Sequence, residues 1–358
     1  MSRFDFSPYR GKVDLLAGGV PCQPFSLGGK HTGHLDPRNL FPAMFKAVRK
    51  LRPNAILIEN VKGLARPRFR PYFLYILMQL CLPAMERKKG ESWQRHRQRL
   101  LEAWPVGFLN GAAPTALAYN IRYRLVECAN LGVPQRRQRV FIMGFRTDLG
   151  LVPRWPDEIW AEAACSEEAL RYAQWIDGSY WSEWSIHRPD IPANPSDKRQ
   201  LLSAQGKPTT SRWRTVRDAL KGLPQPVEGV SHPDFENHVG IPGVRFYKGH
   251  TGSTMDQPSK ALKAGDHGVP GGENAIILDD GTSRYMTVRE AARIQTFPDD
   301  YVFVGPRSEA MRQIGNAVPV LVAELMGKAI AHQLTSSPKG TGIHRTKTPA
   351  IGKQTLMI

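Results

Sequence analysis

Val13-Asp14-Leu15-Leu16-Ala17-Gly18-Gly19-Val20-Pro21-Cys22-Gln23-Pro24-Phe25-Ser26 joins a short apolar run, Val13 to Ala17, to a cysteine held between two prolines. The run has the composition of a buried strand, and the glycine pair marks its end. Proline fixes its own backbone angle and restricts the residue before it, so Cys22 is expected on a stiff turn where that strand stops. Such a thiol suits a positioned nucleophile, because the thiolate is the attacking species and attacks carbon well. A lone cysteine in a proline-rich loop reads just as easily as a small core residue, so the segments downstream must decide.

Working outward, further β-rich apolar runs at Ala55 to Ile58, Tyr123 to Cys128 and Arg139 to Phe145 alternate with helical patterns at Phe41 to Leu51, Pro71 to Leu82 and Glu91 to Trp104. That alternation builds a parallel α/β sheet. From about Leu151 to Gly281 the texture changes: Trp155, Trp160, Trp175, Trp181, Trp184 and Trp213 stand among prolines and glycines, and periodicity fades. This predicts a second, irregular domain. Helical pattern returns at Thr287 to Gln295 and Val318 to Gln333, and the Ser/Pro/Gly/Lys-rich stretch Thr335 to Ile358 reads as a disordered tail. The expected division is therefore 1–150, 151–283, a return to the first domain over 284–334, and a tail over 335–358.

A chain of 358 residues that is 41% hydrophobic has material for two cores. No apolar stretch approaches the roughly 18 residues of a membrane span, and Met1-Ser2-Arg3-Phe4-Asp5 carries no signal core. The expectation is a cytoplasmic protein with no membrane partner. The four cysteines, Cys22, Cys81, Cys128 and Cys165, show neither a C-x-x-C pair nor zinc-like spacing with histidines, so no disulfide framework and no metal is expected. Cys81, Cys128 and Cys165 read as core residues. A net charge of +17 points to a polyanion, most simply nucleic acid, since neutralised phosphates release counterions. Charge alone carries little weight.

Three further segments concentrate polar residues at strand ends or turns: Glu59-Asn60-Val61, where a buried strand emerges; Gln135-Arg136-Arg137-Gln138-Arg139, an arginine-dense turn leading into a strand; and Thr287 to Pro298 with Gln313-Ile314-Gly315-Asn316-Ala317-Val318-Pro319. In open α/β sheets ligands bind outside the carboxyl ends of strands. In this order, with Pro21-Cys22 and with Asp36-Pro37-Arg38-Asn39-Leu40-Phe41, the segments resemble the DNA cytosine-5 methyltransferase family over about residues 13–150 and 284–333. The resemblance implies a Rossmann-like methyltransferase sheet, S-adenosylmethionine as methyl donor, no metal, and double-stranded DNA as partner, with a target-recognition domain over 151–283.

It also implies roles. Cytosine C5 is a poor nucleophile, and addition of the Cys22 thiolate at C6 pushes electron density into the ring. Glu59 hydrogen-bonds or protonates N3, and Arg139, with Arg137 beside it, faces O2. Pro21, Ser26, Asn60 and Gln135 support these groups, and Leu40, Asn316 and Ala317 contact the cofactor. The target carbon is hidden in a stacked duplex, so the base must be flipped out. The Gly28-Gly29-Lys30-His31 segment is then expected to form a loop that closes over it. Arg212, Arg214, Arg245, Lys248, His250, Lys260, Lys263 and the stretch Gly265 to Gly272 are candidates for contacts to phosphates or bases.

The family's opening phenylalanine- and glycine-rich loop, and the acids that follow it, have no counterpart before Cys22. The sheet is accordingly expected to be incomplete, with the strand before Cys22 an exposed edge, and the enzyme complete only with an amino-terminal piece, either a companion chain or upstream sequence lost to a misplaced start codon. A cognate restriction endonuclease is a further possible partner. The alternative reading is a truncated, non-catalytic, sequence-specific DNA-binding protein; an RNA substrate fits less well, since that branch of the family tends to carry threonine where Ser26 stands.

Overall fold

The computed structural model describes residues 4–21, 39–108, 116–190, 206–246, 251–264 and 274–336. Cys22, Ser26, the Gly28 to His31 segment, Asp36 to Arg38, Lys248, His250, Gly265 to Gly272 and the tail beyond 336 lie outside the described residues. The chain forms two compact units, one of residues 1–123, 141–153 and 330–358, the other of 124–140 and 154–329. It passes from one unit to the other within two of its strands.

In the first unit, strand β1 (Leu15–Gly19) leads by way of helix α1 (Phe41–Leu51) to strand β2 (Ala55–Val61), and the two strands pair in parallel from Leu15 with Ala55 to Gly19 with Glu59. The helix forms because Phe41, Met44, Phe45, Ala47, Val48 and Leu51 recur at helical spacing and are buried as one face. Asn39 stands just before the N-cap residue Leu40, its Oδ1 accepting from the Phe41 N–H at 3.2 Å while its Nδ2 donates to the Tyr72 hydroxyl at 2.7 Å. Helices α2 (Arg70–Cys81) and α3 (Trp93–Phe108) follow. His96 joins them: its Nε2–H donates to the Met85 carbonyl at 2.9 Å, which leaves Nδ1 to accept from the Tyr75 hydroxyl at 3.1 Å.

Strands β3 (Tyr119–Glu127) and β4 (Gln138–Arg146) complete a four-stranded sheet of order β1-β2-β4-β3. The Arg146 N–H donates to the Asn54 carbonyl and the Thr147 N–H to the Ala118 carbonyl, both at 3.0 Å. Strand β4 therefore ends where β2 and β3 begin, and runs against both. The expected parallel sheet is corrected to a mixed one, and all four strands extend beyond or are shifted from their expected limits. Val140 to Phe145 are buried, as a central strand requires, whereas β1 at the edge leaves Ala17 and Gly19 exposed.

In the second unit regular structure is short over the tryptophan-rich stretch. Helices α4 (Pro156–Ile159), α5 (Glu167–Arg171), α6 (Ser179–Glu183) and α7 (Val216–Leu220) have four or five residues each. Strands β5 (Cys165–Ser166) and β6 (Ser211–Arg212) pair in parallel, and β7 (Ser253–Thr254), β8 (Ala275–Ile277) and β9 (Ser283–Tyr285) form a small sheet. Trp181 and Trp213 are buried with Leu170 and Tyr180, so these aromatics build a core in place of long helices. Cys81 and Cys128 are buried, but Cys165 is only half-buried, which corrects its reading as a core residue.

Helices α8 (Val288–Ile294), α9 (Arg307–Asn316) and α10 (Val320–Thr335) follow. Thr287 caps α8 through a reciprocal box with Glu290 that the T-x-x-E spacing announces. Helix α9 is not announced in this way: its sequence, Arg-Ser-Glu-Ala-Met-Arg-Gln-Ile-Gly-Asn, is polar at most positions, and only Ala310, Met311, Ile314 and Gly315 are buried. The stretch Arg307–Thr335 is long and apolar enough in composition to cross a membrane, yet it is broken at Ala317 to Pro319 and buries Val322, Met326, Ala329 and Ile330 in the fold.

Candidate active site

In the first unit the site residues gather where β1 and β2 end together. Glu59 stands in register with Gly19, and a Cβ built on that glycine would lie 3.4 Å from the Glu59 Oε2. The carboxyl group thus lies along the backbone that leads through Val20 and Pro21 to Cys22. Asn60, 1% exposed, donates from Nδ2 to the Val20 carbonyl at 2.9 Å and accepts from the Val61 N–H at 3.0 Å. It ties the start of the cysteine segment to the end of β2. Pro21 is exposed, and Leu40, at the start of α1, is 37% exposed.

In the second unit the arginine turn is locked from within. Gln135 is fully buried and its Oε1 accepts from the Leu262 N–H at 3.3 Å. Arg137, 1% exposed, donates to the carbonyls of Leu262, Gly315 and Ala317 at 3.3, 2.6 and 2.9 Å. A guanidinium presents its donors in a fixed fork, which suits three converging carbonyls. Arg139 is only half-buried, with Nη1 donating to the Gln138 carbonyl at 2.9 Å. Asn316 is exposed at the end of α9, and Ala317 is half-buried. The structure therefore brings Gln135 and Arg137 together with the Gly315 to Ala317 segment.

Two residues outside the sequence-derived candidates hold this arrangement, and a third, Arg289, is a buried clamp elsewhere in the same unit. Glu127 accepts from the Arg137 N–H at 2.6 Å, and burial pushes its carboxyl above the ordinary range despite that bond. Gly315 packs so closely that a Cβ there would meet the Ala264 nitrogen at 2.5 Å; a glycine inside a helical pattern is the signal the sequence offers. Arg289, fully buried, donates to the carbonyls of Glu236, Pro298 and Tyr301. Among the recognition candidates, Arg212 is engaged by Asp218 and Glu183, and Lys260 donates to Thr251, while Arg214 and Arg245 are exposed. Among the described residues no group of three or more His, Cys, Asp or Glu side chains is placed to hold a metal.

The open sheet with one antiparallel member, carrying its polar residues at the strand ends, is a Rossmann-like α/β fold. Residues 3–81 and 115–332 match the model of the C-5 cytosine-specific DNA methylase family, and the chain belongs to that family. It is a DNA (cytosine-5-)-methyltransferase, and DNA is its substrate. It is 29% identical over 347 residues to the Type II methyltransferase M.Eco47II of Escherichia coli, a match covering 93% of this chain and 67% of that protein. A second relative, the Type II methyltransferase M.PspPI of Psychrobacter sp. (strain TA137), is also 29% identical over 347 residues, covering 94% of this chain and 68% of that one. Among solved structures, a putative DNA modification methyltransferase encoded within an E. coli prophage aligns at 18% identity with a TM-score of 0.48, covering 93% of this chain and 86% of that chain.

Proposed function

We propose that this chain methylates C5 of cytosine within a specific DNA sequence, through a Cys22 thiolate adduct at C6 of a flipped base. The observation that supports it best is the register of Glu59 with Gly19, which aligns an acid with the backbone leading to Cys22. Glu59 stabilises the adduct at N3, and Arg139 faces the charge that develops at O2. Arg137 acts as a positioning residue, since its donors serve backbone carbonyls. Asn60 holds Val20, and with it the approach to Pro21 and Cys22. Once the methyl group is on C5, loss of the C5 proton and expulsion of the Cys22 sulfur restore the ring. Ser26 and the Gly28 to His31 loop close over the base.

S-adenosylmethionine supplies the methyl group. Of the residues that the resemblance assigns to the cofactor, Leu40 in the first unit and Asn316 in the second are exposed, and Ala317 is half-buried. A companion piece that adds contacts to the cofactor is part of this reading. What supports a companion is the edge of the sheet: β1 pairs only with β2 among the described residues, and an unpaired apolar edge is a template for another strand. By analogy with its Type II relatives the enzyme serves a restriction-modification system beside a cognate endonuclease, in the cytoplasm.

The test is covalent trapping on DNA carrying 5-fluorocytosine, with the full chain alone and with a piece bearing a Phe- and Gly-rich loop encoded upstream. Trapping that Cys22→Ser abolishes is the expected outcome. DNA binding without any trapped species, with or without the added piece, favours a non-catalytic DNA-binding protein.

A further inference from the structure

A cleft of about 550 Å³ in the first unit is lined by Arg10, Lys46, Arg49, Lys50 and Arg52, with Glu86 as the one acidic side chain among the described residues that line it. Local geometry brings these cations together. Lys46 and Lys50 lie four residues apart on α1 and so share a face, with Arg49 beside them. Arg52 ends the helix in the left-handed conformation, at φ 54°, with its N–H on the Val48 carbonyl at 2.9 Å. The Gly11 N–H donates to the Leu51 carbonyl at 2.9 Å and carries Arg10 to the same end of the helix.

Structural needs account for only part of this charge. Arg49 pairs with Glu86 at 3.1 Å, Asp5 lies within electrostatic reach of Lys50, and cations in the last turn suit the helix dipole. Arg10, Lys46 and Lys50 are exposed, and like charges four residues apart repel. The cleft also lies away from the chemistry. Helix α1 connects parallel strands and runs back against them, so its carboxyl end sits at the amino end of β2, whereas Glu59 sits near the carboxyl end. From Ala55 to Glu59 the strand rises about 13 Å.

We propose that this cleft is a second, sequence-independent site for the phosphate backbone of double-stranded DNA, separate from the site that receives the target cytosine. It rests on the chain's acting on DNA, and it adds a contact with DNA away from the target. Convergent cations from separate segments, outnumbering the carboxylates beside them, are what a row of phosphates requires.

The experiment uses the full chain and a fluorescein-labelled duplex lacking any target site, with anisotropy measured between about 50 and 200 mM salt. Replacing Arg10, Lys46 and Lys50 by Gln is expected to reduce the slope of log Kobs against log salt by about 2 to 3, at about 0.9 per phosphate contact. Lys46→Arg with Lys50→Arg should keep the slope. Acetylation of Lys46 and Lys50 in the unsubstituted chain should be suppressed by the duplex, a readout that needs no variant. An unchanged slope in a folded triple variant, or lysines acetylated equally with and without DNA, overturns the proposal. Suppression by tripolyphosphate but not by DNA also overturns it, in favour of a small polyphosphate ligand. No DNA binding by the unsubstituted chain at all would instead count against the reading under Proposed function.

Discussion

The strand end that carries Glu59 and the turn that carries Arg137 hold polar side chains by opposite means. Glu59 is positioned by sheet register, and its side chain stays half-buried at a surface. Arg137 is positioned by its own hydrogen bonds and is sealed from water. A group held by register can change chemically without loss of fold, whereas a buried cation that satisfies three carbonyls cannot. The first suits a residue that meets substrate, and the second one that fixes the residues around it.

Substitutions can break or sharpen that contrast. The largest effect is expected from Cys22→Ser, which should lower methyl transfer by more than about 10⁴-fold with an unchanged melting temperature, since under the proposed mechanism the covalent route runs through this thiol. Glu59→Gln should cost about 10² to 10⁴ in kcat and leave stability nearly untouched; a large fall in its melting temperature would erase the contrast. Arg137→Met should destabilise the fold by about 3 kcal/mol or more, measured by denaturant unfolding, because it leaves buried carbonyls that each cost about 1 to 3 kcal/mol unpaired. If Arg137→Met kept full stability and lost activity alone, Arg137 would belong with Glu59.

Asn60→Ala should cost about 1 to 2 kcal/mol by the same measure, as Val20 loses its donor, and should slow turnover with little change in DNA affinity. The smallest effect concerns acid. Burial lowers the His96 pKa, so its neutral form is favoured in the folded state and its contribution is present above the unfolded value of about 6.5. That contribution is lost as pH falls through the folded value. Thermal melting between about pH 7.5 and 5.5 should decline less steeply in His96→Gln than in the unsubstituted chain.

Helix α1 is legible to its limits, because its buried face repeats at helical spacing and Asn39 precedes it. The strands are legible as apolar runs, but the direction of β4 is not. An apolar run carries no sign of which way it pairs, and β4 is set against β2 by the hydrogen bond between Arg146 and Asn54. Helix α9 escapes a sequence reading because it buries only four residues and takes its place by packing Gly315 against the backbone at Ala264. Glu59 and Asn60 are legible as polar residues leaving an apolar strand. Arg137 is legible as a charge, but its burial is not, since the carbonyls it serves lie 125 to 180 residues away.

The sequence by itself determined the family and the apolar run that becomes the strand leading toward Cys22, and its resemblance to that family named the residues proposed to attack, protonate and stabilise a cytosine ring. These follow from local spacing and from the chemistry of single side chains. Only the tertiary structure decided that Glu59 aligns with Gly19, that Arg137 clamps Gly315 and Ala317, and that five cations converge at the far end of α1. Those facts depend on register and on contacts between distant segments, which are set when the chain packs.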